Sequence, residues 1–266
     1  MPGSTIVTAI HPIVCIGLSK TYKSGPAFKD LSFAVSIGRT LALIGPNGAG
    51  KSSLIKCLLG LTKCSTGSAH LFGKPVDDPA ARAGLGYLPE RFAPPAYVTG
   101  REYLRYIVQA YGERFDEDLA RHKLEQLNFP LNAMPRLTGT YSKGMNQKLG
   151  LCSLLLSKCR LLILDEPMSG LDPEARYLLR QQIQSSVALG VTALISTHAL
   201  EDIVYLDAQV LALHQGRQTY FGDYQQLLRQ TGTPHIEDAY LAVCSLLPRQ
   251  AAAAEHPARR EVDYVS

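Results

Sequence analysis

The sequence predicts an α/β fold, a parallel sheet covered by helices, and three stretches carry that prediction. Thr40-Leu41-Ala42-Leu43-Ile44 is a buried-strand run that passes through a glycine-rich turn into Ser52 to Leu59, where Leu54, Ile55, Leu58 and Leu59 share one helical face. Leu161-Leu162-Ile163-Leu164 is a second such strand, followed by a helix opening at Asp172-Pro173-Glu174. Thr192 to Ser196 returns to strand, which completes the alternation.

The other elements fall around this core. Ile13 to Ile37 mixes β-branched residues with Gly and Ser and turns at Lys23-Ser24-Gly25-Pro26, so short antiparallel strands are expected there. From Pro89 to about Lys158 the pattern is helical, with Thr99 and Glu102 spaced as a capping box ahead of Tyr103, Leu104, Ile107 and Val108. Val210 to Phe221 reads as a hairpin, Tyr224 to Leu228 as a short amphipathic helix, and Ala251 to Ala254 with the charged end as a disordered tail. The expected organisation is residues 1–88 for the β lobe and the first part of the core, 89–158 for an inserted helical lobe, 159–222 for the rest of the core, and 223–266 for a C-terminal helix and tail.

Composition excludes more than it indicates. The chain has 266 residues, 46% of them hydrophobic and 19% charged, and a net charge of +4, which is ordinary globular material rather than a polybasic nucleic-acid binder. Six cysteines lie in apolar stretches without a C-x-x-C pair, pointing to reduced, buried thiols and not to zinc or a disulfide framework. The charge-free residues 1–19 lack the basic start of a secretory signal, and Pro12 interrupts them. Gln181 to Leu200 also lacks formal charge, but its three glutamines, its serines and His198 would be costly in hydrocarbon, so no membrane span is expected.

Gly45-Pro46-Asn47-Gly48-Ala49-Gly50-Lys51-Ser52 fits G-x-x-x-x-G-K-[ST] between a strand and a helix, the context that makes it a P-loop. Chance alone produces the match in about one chain of this length in a hundred, before that context is required. Amide groups from Gly45 through Ser53 and the start of the helix point at phosphate, Lys51 neutralises the β and γ phosphates, and Ser52 is placed to coordinate Mg²⁺. A P-loop predicts nucleotide binding without saying what the nucleotide is used for. Leu161 to Leu164 ends in Asp165-Glu166, and adjacent residues on a strand face opposite ways, so Asp165 is expected toward the metal and Glu166 beside the γ-phosphate as general base. A merely solvated strand end is the plainer alternative.

Taken together, the P-loop, Tyr141-Ser142-Lys143-Gly144-Met145, Asp165-Glu166, Ser169-Gly170-Leu171-Asp172 and His198 resemble, in order and spacing from about Ile13 to Gly222, an ABC transporter nucleotide-binding domain. The resemblance implies a P-loop NTPase core of RecA-like type, with an N-terminal antiparallel β lobe and an inserted α-helical lobe. It makes Ser142, Lys143, Gly144 and Asp172 contacts to ATP held by a second subunit, with Lys143 and Met145 departing from the commonest glycine and glutamine toward a form seen in export-type members. It makes His198 the switch histidine that holds water and Glu166 in register, and Tyr22, 29 residues before Lys51, the aromatic residue that stacks on adenine. Glu90 stands where many members carry a glutamine that contacts Mg²⁺ or water. A lone histidine, a strand tyrosine and a serine at a helix start each have plain structural uses as well.

The expected function is therefore an ATP-hydrolysing subunit with ATP and Mg²⁺ as ligands. It would pair with itself or a paralogue, because one chain holds one P-loop and one signature motif. A separate multi-span permease would dock near Glu90 to Arg105 and keep the chain on the cytoplasmic face of the membrane, with no direct nucleic-acid contact. The alternative is a soluble ABC ATPase acting on ribosomes or DNA, though neither paired cassettes nor a dense basic patch is present. Cargo is not legible, since it belongs to the permease.

Overall fold

The computed structural model describes residues 11–245. In chain order it contains β1 (Ile13–Tyr22), β2 (Gly25–Val35), β3 (Thr40–Ile44), α1 (Lys51–Leu58), β4 (Thr66–Leu71), β5 (Lys74–Pro75) and β6 (Leu85–Leu88). There follow α2 (Gly100–Ala110), α3 (Glu117–Gln126), α4 (Lys143–Leu156), β7 (Leu161–Asp165), α5 (Pro173–Ala188), β8 (Thr192–Ser196) and α6 (Glu201–Tyr205). The chain closes with β9 (Gln209–His214), β10 (Arg217–Asp223), α7 (Tyr224–Thr231) and α8 (Ile236–Ser245). The expected tail around Ala251 to Ala254 lies outside the described residues.

The strands form one sheet in the order β5-β4-β1-β2-β10-β9-β3-β8-β7-β6. Its centre, β9 through β6, is parallel, while β1 pairs antiparallel with both β2 and β4. The N-terminal strands are longer than the mixed composition suggested, at 10 and 11 residues. They stay paired across register shifts after Cys15, Leu18 and Lys20, where bulges absorb the residues that break the alternation. The β9–β10 hairpin turns through Gln215 and Gly216, both at positive φ, which matches the twist of the flanking strands.

β3 is buried at every position because both faces of the sheet are covered. Leu41 and Leu43 face a core shared with α1 and the β lobe, whereas Ala42 and Ile44 face a second core. That second core runs without a break into the helical stretch, taking in Leu104 and Val108 of α2, Leu124 of α3, and Leu149 and Cys152 of α4. The capping box on α2 is complete: the Glu102 N–H donates to Thr99 Oγ1 at 3.2 Å, and the Thr99 N–H donates to Glu102 Oε2 at 2.8 Å. All six cysteines are free thiols, and burial pushes Cys57 and Cys152 up to about 12 and Cys159 to about 11, so they behave as small apolar groups.

The helical stretch and the sheet meet at Gly150 of α4. A Cβ there would come within 2.6 Å of a Leu88 methyl and 2.8 Å of the Phe92 ring. Gly150→Ala should therefore destabilise the chain by about 1–3 kcal/mol through overpacking, despite alanine's better helix propensity. Urea denaturation with an unchanged slope would show it, and a variant as stable as the parent would contradict the packing described.

Candidate functional site

Three parallel strands end level at one edge of the sheet. Leu43 of β3 and Asp165 of β7 both stand opposite Ser196 of β8, so the segments that follow these strands converge. After β3 the chain turns through the P-loop, where Gly45 adopts φ 153 and Gly50 φ 105. A side chain at Gly45 would meet the Leu213 carbonyl at 2.4 Å, and one at Gly50 would meet the Ala27 carbonyl at 2.6 Å, so the loop is pressed between β9 and β2 and admits only glycine there. The loop opens directly into α1, whose N-terminus no side chain caps. In contrast, α2, α3, α4 and α5 are capped by Thr99, Asp116, Ser142 and Asp172. The first amides of α1 are thus left to an outside acceptor, with the helix dipole favouring an anion.

Lys51 folds back over this loop, its Nζ donating to the Gly45 carbonyl at 2.6 Å and the Pro46 carbonyl at 3.3 Å. Burial pulls its ammonium below the ordinary lysine value, opposed by the charges of Glu166 and Asp165. Across the cleft, the Ser196 hydroxyl donates to Asp165 Oδ1 at 2.5 Å and accepts the Glu166 N–H at 2.8 Å. His198 Nδ1 lies 2.8 Å from Glu166 Oε2. A carboxylate only accepts, so that contact requires the imidazole to carry its proton on Nδ1.

The expected opposition of Asp165 and Glu166 on strand faces is not what orients them. β7 ends at Asp165, and Glu166 takes a left-handed conformation at φ 48. That costs roughly 1–2 kcal/mol for a residue with a Cβ. The Glu166 N–H, shared between Ser196 Oγ at 2.8 Å and the Ser196 carbonyl at 3.2 Å, offsets a comparable amount of about 0.5–1.5 kcal/mol. Both carboxylates consequently face the same cleft.

This cleft has a volume of about 540 Å³. Its lining includes Gly45 through Ser53, Glu90, Asp165, Glu166 and His198, together with Ser169, which opens the motif ending at Asp172, and Ala27, which the sequence did not single out. Ser196 was missed too, although a hydroxyl closing an apolar strand is a visible signal. Tyr22 lies outside this lining, at the end of β1, with the Lys20 ammonium 4.7 Å above its ring. Ser142, Lys143, Gly144 and Asp172 are outside as well. Ser142 Oγ accepts the Met145 N–H at 3.2 Å and Asp172 Oδ1 accepts the Ala175 N–H at 2.8 Å, so each serves as a helix cap. The Lys143 ammonium packs against Gly170, and Gly144 against Leu171, which joins the start of α4 to the turn before α5. Gln147, buried on α4, donates to the Glu90 carbonyl at 2.9 Å and so links α4 to the cleft wall.

Residues 28–169 match the family described as ABC transporter. The chain belongs to that family. It is an ATP-binding component of the family, an ATPase with the ABC ATPase fold. An uncharacterized ABC transporter ATP-binding protein of Nostoc sp. is 33% identical over 89% of this chain and 74% of its own length. A Synechocystis ABC transporter ATP-binding protein is 36% identical over 79% of this chain and 62% of its own length. Nod factor export ATP-binding protein I of Burkholderia thailandensis is 33% identical over 83% of this chain and 73% of its own length. A solved ATP-binding subunit of an ABC transporter superposes with a TM-score of 0.79 at 30% identity, covering 87% of this chain and 98% of that one. At 18% identity and a TM-score of 0.71, a dimeric ATP-binding cassette bound to ADP and Pi shares the fold over 79% of this chain.

In this ABC ATPase the Ser196 hydroxyl holds the Asp165 carboxylate and the backbone N–H of Glu166. Ser196→Ala should cut ATP turnover about tenfold or more and lower stability by about 1–2 kcal/mol. ATP affinity should stay within about threefold, since the phosphate cradle is untouched. Turnover assays beside equilibrium nucleotide titrations check this, and full activity in the variant would remove Ser196 from the argument.

Proposed function

We propose that the chain is the energy-coupling subunit of an export-type ABC transporter, in which two copies close on two ATP molecules and hydrolysis reopens them. One observation carries the reading: the uncapped α1 N-terminus, Lys51 and the Glu166–His198 pair face one cleft, while Ser142, Lys143, Gly144 and Asp172 lie outside it beside the Ser169 rim. A site with a phosphate cradle and a base on one surface, and a separate capped helix start nearby, is suited to completion by a second copy or a paralogue.

On this reading the amides of Gly45, Pro46-Asn47-Gly48-Ala49 and Gly50 to Ser53 wrap the phosphates, and Lys51 leaves its own loop carbonyls for the β and γ oxygens. Lys20 covers one face of the Tyr22 ring, so adenine would stack on the other. Glu166 accepts a proton from the attacking water, and His198, donating through Nδ1, holds that carboxylate toward the γ-phosphate. The Ser52 hydroxyl and Asp165 would hold Mg²⁺, with Glu90 also in reach of the cleft. The donors fit such an ion: they are hard oxygens, and Asp165 Oδ2 makes no hydrogen bond among the described residues. When bound, the ion neutralises phosphate charge and orients the transferring group.

Export is supported by the 33–35% identity to Nod factor export ATP-binding proteins. Among the described residues no helix is long and apolar enough to cross a membrane. The pore would belong to a separate permease, which would hold this chain on the cytoplasmic side. Residues 89–158 are taken as the lobe that meets it near Glu90 to Arg105 and moves as the dimer closes.

Glu166→Gln should bind ATP with near-normal affinity, hydrolyse it at least about a hundredfold more slowly, and elute as an ATP-dependent dimer in gel filtration. Turnover equal to that of the parent chain would refute the assignment of Glu166. Chelating divalent ions with EDTA should abolish hydrolysis in the parent chain, and restoring Mg²⁺ should recover it; phosphate release measured before and after decides this.

A further inference from the structure

Among the described residues the His198 side chain has one hydrogen-bond partner, Glu166, and it is 68% exposed. Its position therefore depends on the backbone that carries it. That backbone is tied down from behind by a buried polar chain that no step of ATP hydrolysis uses directly. Thr197, between the end of β8 and His198, donates its hydroxyl to Asp202 Oδ2 at 2.8 Å, and Thr197 Oγ1 in turn accepts the Ala199 N–H at 3.0 Å. The residues on both sides of His198 are thereby locked into one turn. Asp202, in α6, is 1% exposed, and its other oxygen accepts both Nε–H and Nη2–H of Arg180.

Arg180 belongs to α5, the helix that begins at Asp172, about 12 Å away at 1.5 Å per residue. Its side chain is 12% exposed and lies with its guanidinium carbon 5.3 Å from the centroid of the Tyr205 ring. One turn earlier Arg176 pairs with Glu201 at 2.7 Å, and Arg180 also lies 3.7 Å from Glu201, so three ion pairs among the described residues hold α5 to α6. A buried ion pair of this kind is poorly explained by stability, since well-packed apolar residues of similar volume serve as well or better; it is better explained by the geometry it imposes. The geometry here runs from the loop before α5, through Arg180, Asp202 and Thr197, to the histidine.

We propose that Arg180, Asp202 and Thr197 are positioning residues that set His198 against Glu166 and tie its place to the helix that follows the Ser169–Asp172 loop, whose Asp172 is read as facing a second copy. Movement of that loop as two copies close would then reach the histidine through a rigid, hydrogen-bonded path. The inference rests on the reading of His198 given above.

The test uses the full chain with Mg²⁺, in excess over radiolabelled ATP and well above its dissociation constant, in single-turnover hydrolysis, beside ATP affinity measured by calorimetry. Thr197→Val removes only the hydroxyl and keeps the volume; it should slow hydrolysis about tenfold with affinity changed less than about twofold, while Thr197→Ser restores the rate. Asp202→Asn and Arg180→Met should act in the same direction, and Thr197→Val remains the informative variant where either fails to fold. In a His198→Ala background none of the three should slow hydrolysis further, because residues acting through one group do not add. Losses that multiply in that background, or a Thr197→Val chain at full rate, overturn the proposal while a slow His198→Ala leaves the reading of the histidine intact. A His198→Ala chain at the parent rate overturns both.

Discussion

The parallel register of β3, β8 and β7 is the constraint on which the rest depends. Because Leu43 and Asp165 both align with Ser196, the phosphate loop, the two carboxylates and the histidine turn leave the sheet at one level. Parallel strands with helical crossovers put such loops at the carboxyl ends of the strands, where a ligand finds several of them at once. A slip of one residue in β8 would turn the Ser196 hydroxyl to the opposite face and unlatch Glu166.

The same register explains why a strained residue is tolerated at the centre of the site. Glu166 has a left-handed backbone held by hydrogen bonds from its N–H to the neighbouring strand and from the Ser169 N–H to its carbonyl. Strain of this kind persists where the surroundings over-determine it, and here the surroundings are two buried strands and a fully buried serine. The benefit is directional: a side chain that would have pointed away from Asp165 along a regular strand is turned into the same cleft.

On the proposed reading, two helix starts would divide the labour of anion recognition between surfaces. α1 begins without a cap and faces the cleft; α4 begins with Ser142 as its cap, no acidic residue in its first turn, and Lys143 at its first position. A cation at a helix N-terminus is unfavourable in isolation, whereas α2, α3 and α5 carry acids there. The start of α4 packs through Lys143 and Gly144 on the turn that leads to Asp172, so the surfaces assigned to a partner copy form one patch beside the cleft rim.

Much of this was legible in the residues alone. The strand, glycine turn and Lys51-Ser52 reported a phosphate cradle, the capping box at Thr99 and Glu102 marked the start of α2, and the order of motifs pointed to the family, because each depends on neighbours close in sequence. The length of β1 and β2 was not legible, since bulges hide the alternation, and neither was α8, whose place is settled by packing against α7. Nor was Ser196 as the latch of the Asp165 carboxylate and the Glu166 backbone, or the reach from Arg180 to Asp202 across 22 residues of chain. Local pattern determined what chemistry the chain carries; only the pairing of distant strands and helices decided which way each group faces, because direction is set by contacts between segments that the sequence keeps apart.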